Sequence, residues 1–197
     1  MKRLSLYLFL ILFTLQTPSW ADDIRDFQIE GMSVGDSLLD YFSENEIKAN
    51  LPYDDMKTEK FNNFEIYDKS LFDQYDALQA TFKNKDKKYI IYQLSGTIFY
   101  FDNIGDCYKK KNEIVKNLSE LFQNINEEDW GTEKHDYDKS GKSTTTSSVF
   151  MLNSGDFVRI ICMDWSDEIT NTLSWTDNLS VEIHTKEHID WLNTQYK

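Results

Sequence analysis

The sequence predicts an α+β fold: a mostly antiparallel sheet with helices packed on one face, fastened by one disulfide. Three observations predict it. Segments of alternating apolar and polar residues recur between residues 61 and 184, most of them separated by short polar turns, which is the signature of strands joined by hairpins. Helical periodicity appears before, between and after these strands rather than in strict alternation with them, so a parallel βαβ arrangement is not implied. Finally, Cys107 falls in the central helical segment and Cys162 in a strand.

Each element has its own justification. Residues 22–51 read as a helical entry. Ser33 with Asp36, and Ser43 with Glu46, have the spacing of capping boxes. They predict a helix over 34–42, with Val34, Leu38, Leu39 and Phe42 inward, and a short one over 44–50 stopped by Pro52. Strands follow at 61–67 and 75–82, the second with Leu78, Ala80 and Phe82 on one face. Asn84-Lys85-Asp86-Lys87 is a polar turn. Residues 89–101 alternate most strongly, with Ile90, Tyr92, Leu94, Ile98 and Tyr100 in phase, and Gly96 predicts a bulge there. Residues 104–122 form a helix whose Cys107, Ile114, Val115, Leu118, Leu121 and Phe122 share a stripe. Asn103 or Asp106 caps it, and the Lys109-Lys110-Lys111 run lies mostly on its solvent side. Residues 130–138 and 143–152 pair as a hairpin around Lys139-Ser140-Gly141-Lys142. Residues 157–165 are a strand with Val158, Ile160 and Cys162 on one face, 166–176 a loop, 179–184 a last strand and 187–196 a terminal helix.

The chain opens MKRLSLYLFLILFTLQTPSWADD. Lys2 and Arg3 precede an apolar run of 12 residues, Leu4 to Leu15, then Pro18 and the small residues Ser19 and Ala21. This is the pattern of a secretory signal peptide over 1–21, cut between Ala21 and Asp22. The run is short for a membrane span, which needs about 20 residues. No cysteine adjoins the cut, so lipid attachment by lipoprotein processing is not available. The expectation is one domain over 22–197, periplasmic or secreted, with no stable membrane span after cleavage. Losing Lys2 and Arg3 takes the formal net charge from −13 to −15. So acidic a protein repels nucleic acid and anionic membrane alike.

In an oxidising compartment an even cysteine count argues for pairing. Cys107 lies on the helix stripe that packs on the sheet, and Cys162 is in phase with Val158 and Ile160, so a Cys107–Cys162 disulfide is expected. The alternatives are two buried thiols or a nucleophile, and the three histidines give no recognisable context for a base. Two motifs compete for attention. His184, Glu187 and His188 match the H-x-x-E-H of a zinc peptidase group, but only nine residues remain to supply a third ligand. Asp136, Asp138 and Ser140, followed by Gly141, match the first half of a calcium loop. The position for the bidentate glutamate holds Ser147, so a plain hairpin turn competes with calcium. Trp130, Trp165, Trp175 and Trp191 are candidates to line a ligand surface, although aromatics at strand spacing are more often core. No phosphate loop, nucleophile elbow or paired-carboxylate signature stands out, and no cofactor is implied.

Leu94-Ser95-Gly96-Thr97-Ile98, Asp106-Cys107-Tyr108, the 114–122 segment and Phe27 through Asp36 together resemble a group of uncharacterised secreted proteins of AT-rich marine alphaproteobacteria. That resemblance implies a periplasmic location. Gly31-Met32-Ser33 before a helix is similar to the entry of β-lactamase-inhibitor-like domains and small outer-membrane-assembly lipoproteins, which implies an interaction module. The function expected is a non-catalytic binding or accessory module, with an envelope protein as its partner. The alternatives are a small-ligand- or calcium-binding protein and a hydrolase with an unrecognised site. A Trp-lined pocket would mark the first alternative, and clustered Asp, Glu and His in a deep pocket the second.

Overall fold

In the computed structural model, which describes residues 23–51, 60–122 and 125–195, seven strands form one sheet. The signal segment 1–21, its cut before Asp22 and the helix-stopping Pro52 lie outside the described residues. The strands are β1 (Phe61–Ile66), β2 (Ala77–Lys83), β3 (Ile91–Phe99), β4 (Asn126–Lys134), β5 (Thr144–Met151), β6 (Phe157–Asp164) and β7 (Asn178–His184). Their spatial order is β1-β2-β3-β7-β6-β5-β4, and every neighbouring pair is antiparallel. Among the described residues four α-helices accompany them: α1 (Glu44–Ala49), α2 (Ile104–Leu121), α3 (Asp167–Leu173) and α4 (Lys186–Gln195). The class is therefore α+β. Two antiparallel meanders, β1–β3 and β4–β7, meet in mid-sheet where β3 pairs with β7. Among the described residues no helix is long and apolar enough to cross a membrane.

Strand alternation sorts the side chains onto two faces. One face carries an unbroken apolar row across six strands: Phe64, Ala80, Leu94, Ile183, Val158 and Phe150 are successive partners. All six are buried. The entry segment covers one half of this face with Ile24, Phe27, Ile29, Met32, Val34, Leu38 and Ile47. Helix α2 covers the other, started by the Asn103 side chain accepting the Gly105 N–H at 3.0 Å. Phe27 stacks on Phe122 at 4.0 Å between ring centroids, joining the two covers. Burying each large aliphatic side chain contributes about 1.5–3 kcal/mol. Cys107 and Cys162 are fully buried and disulfide-bonded, with Cα atoms 6.1 Å apart. The opposite face is mixed: polar Thr81, Gln93, Ser95, Ser147, Ser180, Glu182 and His184 are buried there beside apolar Phe61, Ala77, Val149 and Ile161. Helix α4 comes down on one end of that face, where His188 and Trp191 pack against Phe61.

Four expectations differ from the structure. The segment 34–42 holds only a single 3-10 turn, Leu38–Asp40. Asp36 does accept the Ser33 N–H, but the Ser33 hydroxyl donates to the Arg25 and Phe27 carbonyls instead of capping. Gly35, at φ 91°, breaks the turn; its N–H donates to the Ile91 carbonyl, the Leu38 N–H donates to that of Tyr89, and the Asp36 carbonyl accepts from the Ile91 N–H. Tertiary pairing overrides a local capping signal here. The loop 166–176 contains α3, begun by the Ser166 side chain. The bulge falls where β2 meets the start of β3, between Thr81 and Phe82, not at Gly96; it turns Ile91 rather than Ile90 into the core. Lys111 does not face solvent. It is buried, and its Nζ donates to Ser148 Oγ at 2.8 Å.

Gly96 has a different role from the one expected. A Cβ there would lie 2.6 Å from the Tyr75 ring, which sits directly on the strand. Gly96→Ala is therefore expected to displace Tyr75 and to cost about 1–3 kcal/mol, measured as a lower urea midpoint. Tyr75→Ala in the same background should restore part of that loss.

Candidate functional site

The antiparallel order brings the ends of β1, β3, β4 and β6 and the starts of β2, β5 and β7 to one end of the sheet. Aromatic residues stand just at or beyond those ends. Tyr67 follows β1, Phe99 closes β3, Phe101 lies two residues further, Trp165 follows β6, and Trp175 precedes β7. These five side chains line one open cleft of about 470 Å³, together with Ser174, Thr176 and Asn178. That volume is in the range of small-molecule sites. Phe101 is 79% exposed and Tyr67 69%, so the rings are presented to solvent rather than consumed by the core.

The rings are held in a ladder. Trp165 and Trp175 meet edge to face at 4.6 Å, Tyr137 lies 4.7 Å from Trp175, and His135 lies 4.4 Å from Trp165. Such aromatic pairs contribute about 0.5–1.5 kcal/mol each beyond their burial. Local structure aims them. Ser174 takes the left-handed conformation at φ 58° to end α3 and carry the chain into Trp175. Trp165 is fixed by its backbone N–H, which donates to Asp177 Oδ1 at 2.8 Å. Burial raises the Asp177 carboxyl above the ordinary range, against that hydrogen bond, and the Asp164 charge adds to the rise. Burial likewise lowers His135.

Asp138 anchors the second wall. Its carboxylate accepts from the Ser140 and Ser143 N–H groups and from the Ser143 and Ser166 hydroxyls, at 2.7–3.0 Å. It thereby ties the β4–β5 turn to the start of α3, which sets Tyr137 beside Trp175. These hydrogen bonds, those of Ser140 and Ser143 foremost, hold its carboxyl well below the usual carboxylate range. Of the calcium candidates, Asp138 thus has both oxygens on protein donors. Ser140 contributes its N–H to Asp138, and Asp136 is exposed, its carbonyl accepting from Lys139. Asp138→Ala is expected to loosen the turn and lower the melting temperature, with a change in the near-ultraviolet dichroism of the Trp165–Trp175 pair. A calcium-dependent rise in melting temperature, reversed by chelator, would instead assign the loop to calcium.

The H-x-x-E-H residues do not converge. His184 and His188 bring their Nδ1 atoms to 3.1 Å, while Glu187 turns away to Lys60 and Lys83. His184 Nε2 meets Glu182 at 3.1 Å, and Arg159 binds the same carboxylate through two nitrogens. A carboxylate only accepts, so His184 Nε2 is the donor to Glu182. The cluster is buried beneath α4. Burial, then the His184 charge, lowers His188 to about 4. For Glu182 burial acts upward, but Arg159 and His184 outweigh it and hold the carboxyl at about 2. Among the described residues, no three His, Cys, Asp or Glu side chains are grouped to hold a metal ion.

Of the four tryptophans singled out as surface candidates, Trp165 and Trp175 do line the cleft. Trp130 lies on edge strand β4, its indole N–H donating to Glu128, and Trp191 packs on Phe61 and His188. Sequence reasoning missed Tyr67, Phe99 and Phe101. The signal for them was an aromatic residue at or just beyond the ends of β1, β3 and β6, which run in the same direction. Comparison with protein-family models, curated proteins and solved structures finds no match to this chain.

Proposed function

We propose that this protein is a non-catalytic binding module that works in the periplasm or outside the cell and takes a small ligand into the aromatic cleft. The observation that carries this reading is the convergence of five aromatic side chains, from four separate segments, on one open cleft of about 470 Å³. Exposed rings held in place by Asp138, Asp177 and the Ser174 turn are preorganised for contact, which reduces the ordering cost of binding. The lining carries aromatic rings, hydroxyls and one amide and no Asp, Glu, His, Lys or Arg, which supports binding over hydrolysis. The apolar leader with its small residues before Asp22, together with the disulfide, supports export to an oxidising compartment.

The test is a fragment screen by NMR on the chain from Asp22 onward. Ligands should move the indole signals of Trp165 and Trp175 together, and Trp175→Ala should weaken the best of them by about 10-fold or more, the scale of losing a buried aromatic contact. Fragments that bind elsewhere and ignore Trp175→Ala would defeat the assignment. The export half is checked separately by fractionating cells that express the full chain and sequencing the N-terminus of the recovered protein.

A further inference from the structure

We propose that the ligand of the aromatic cleft is an organic cation of the quaternary ammonium type, held by cation–π contact among Tyr67, Phe99, Phe101, Trp165 and Trp175. This rests on the cleft being the binding site and goes further by naming the chemistry it selects. A quaternary ammonium presents an apolar shell around a positive charge. It makes no hydrogen bonds, and it is attracted to ring faces from several sides at once.

Three observations favour that class over a neutral ligand. First, no basic side chain is among the lining residues, whereas Asp177 sits between the lining residues Thr176 and Asn178 and Asp164 adjoins Trp165. Glu65 accepts the Tyr67 hydroxyl at the opposite wall. Second, the whole chain carries a formal net charge of −13, so the field around it draws in cations and repels anions. Third, the cleft is poorly furnished for a sugar, which needs an array of paired donors and acceptors. The Asn178 amide donates to the Thr176 carbonyl and the Tyr67 hydroxyl to Glu65, which leaves the Ser174 and Thr176 hydroxyls and the indole N–H groups. Rings on several sides, a negative surround and little polar lining together describe an aromatic cage.

The experiment compares choline chloride with 3,3-dimethylbutan-1-ol, which has the same shape without the charge. Both are titrated at constant ionic strength into the chain from Asp22 onward, and the indole signals of Trp165 and Trp175 are followed. Choline should saturate the shifts of both indoles with an affinity about tenfold better than the alcohol, a factor that corresponds to one cation–π contact. Trp175→Ala should abolish this. Trp175→Phe, which keeps a ring, should retain part of it. Asp177→Asn, which still accepts the Trp165 N–H, should weaken choline severalfold and leave the alcohol unchanged. Equal affinity for the two probes would overturn the cation while leaving the cleft as the site of a neutral ligand. Silence from both indoles up to roughly 50 mM choline, the weak end of specific binding, would also overturn it, and the fragment screen would then decide separately whether the cleft binds anything. Choline shifts confined to residues outside the cleft would overturn it as well.

Discussion

Glu182→Ala is expected to destabilise the protein by about 3 kcal/mol, read as a lower urea midpoint at pH 7. The carboxylate is the meeting point of Arg159 and His184 beneath α4. Its loss leaves a guanidinium and an imidazole without their acceptor, and breaking a buried ion pair from one side typically costs 3–5 kcal/mol. The lower figure applies because the Arg159 side chain keeps 31% of its surface exposed and water can partly replace the carboxylate. Glu182→Gln should cost less, since an amide oxygen still accepts. A change within about 0.5 kcal/mol for the alanine variant, the range of an ordinary surface site, would contradict this account.

The same cluster sets an acid response with a defined direction. His188 titrates near 6.5 when unfolded and near 4 when folded, so the unfolded chain takes up a proton that the folded one refuses. Stability is therefore complete above pH 6.5 and declines as pH falls toward 4, by up to about 3 kcal/mol. The charged or titratable groups around His188 are His184 and Glu182 on the sheet and Lys60 ahead of β1, and the first and last oppose its protonation. Glu182, lowered from 4.5 to about 2, adds a second decline between those values. His188→Leu should remove the first step and leave the second, as followed by denaturation at a series of pH values.

Replacing both cysteines by serine should cost about 4 kcal/mol, because the bond closes a loop of 55 residues and its loss returns that entropy to the unfolded chain. Reduction of the native protein in urea should move the midpoint by a similar amount. An unchanged midpoint after reduction would mean that α2 packing alone holds the sheet face.

Elements whose local pattern agrees with their tertiary role were legible in the sequence. The pairing of Cys107 with Cys162 is one: helix stripe and strand phase each pointed inward, so the two had to meet. The alternation of Val158, Ile160 and Cys162 is another, as is the capping box of Ser43 and Glu46, formed in both directions. Two departures arise where partners distant in sequence compete. The Ser33 signal is genuine, since Asp36 accepts its N–H, yet Gly35, Asp36 and Leu38 also bond to the backbone of Tyr89 and Ile91, which holds the segment out of a helix. Lys111 leaves the solvent side of its lysine run for a partner that lies 37 positions away, the Ser148 hydroxyl.

The cleft was hidden for a related reason. Its rings come from after β1, the end of β3, after β6 and before β7, and only the spatial order of the strands brings them together. Taken singly, each tryptophan is compatible with core or surface; the strand ends that the order places side by side are what form the cleft.

That order also constrains when the molecule can form. The centre of the sheet is the contact between β3 and β7, whose partners Leu94 and Ile183 are almost half the chain apart. The meander β1–β3 can pair as soon as it is made, but its apolar row stays open along one border until β7 arrives. Closure over such a separation is slow, because loop entropy is lost before the contact rewards it. The sheet therefore remains without its central seam until β7 is in place, and until then the β3 border is an unpaired strand edge open to association with other chains.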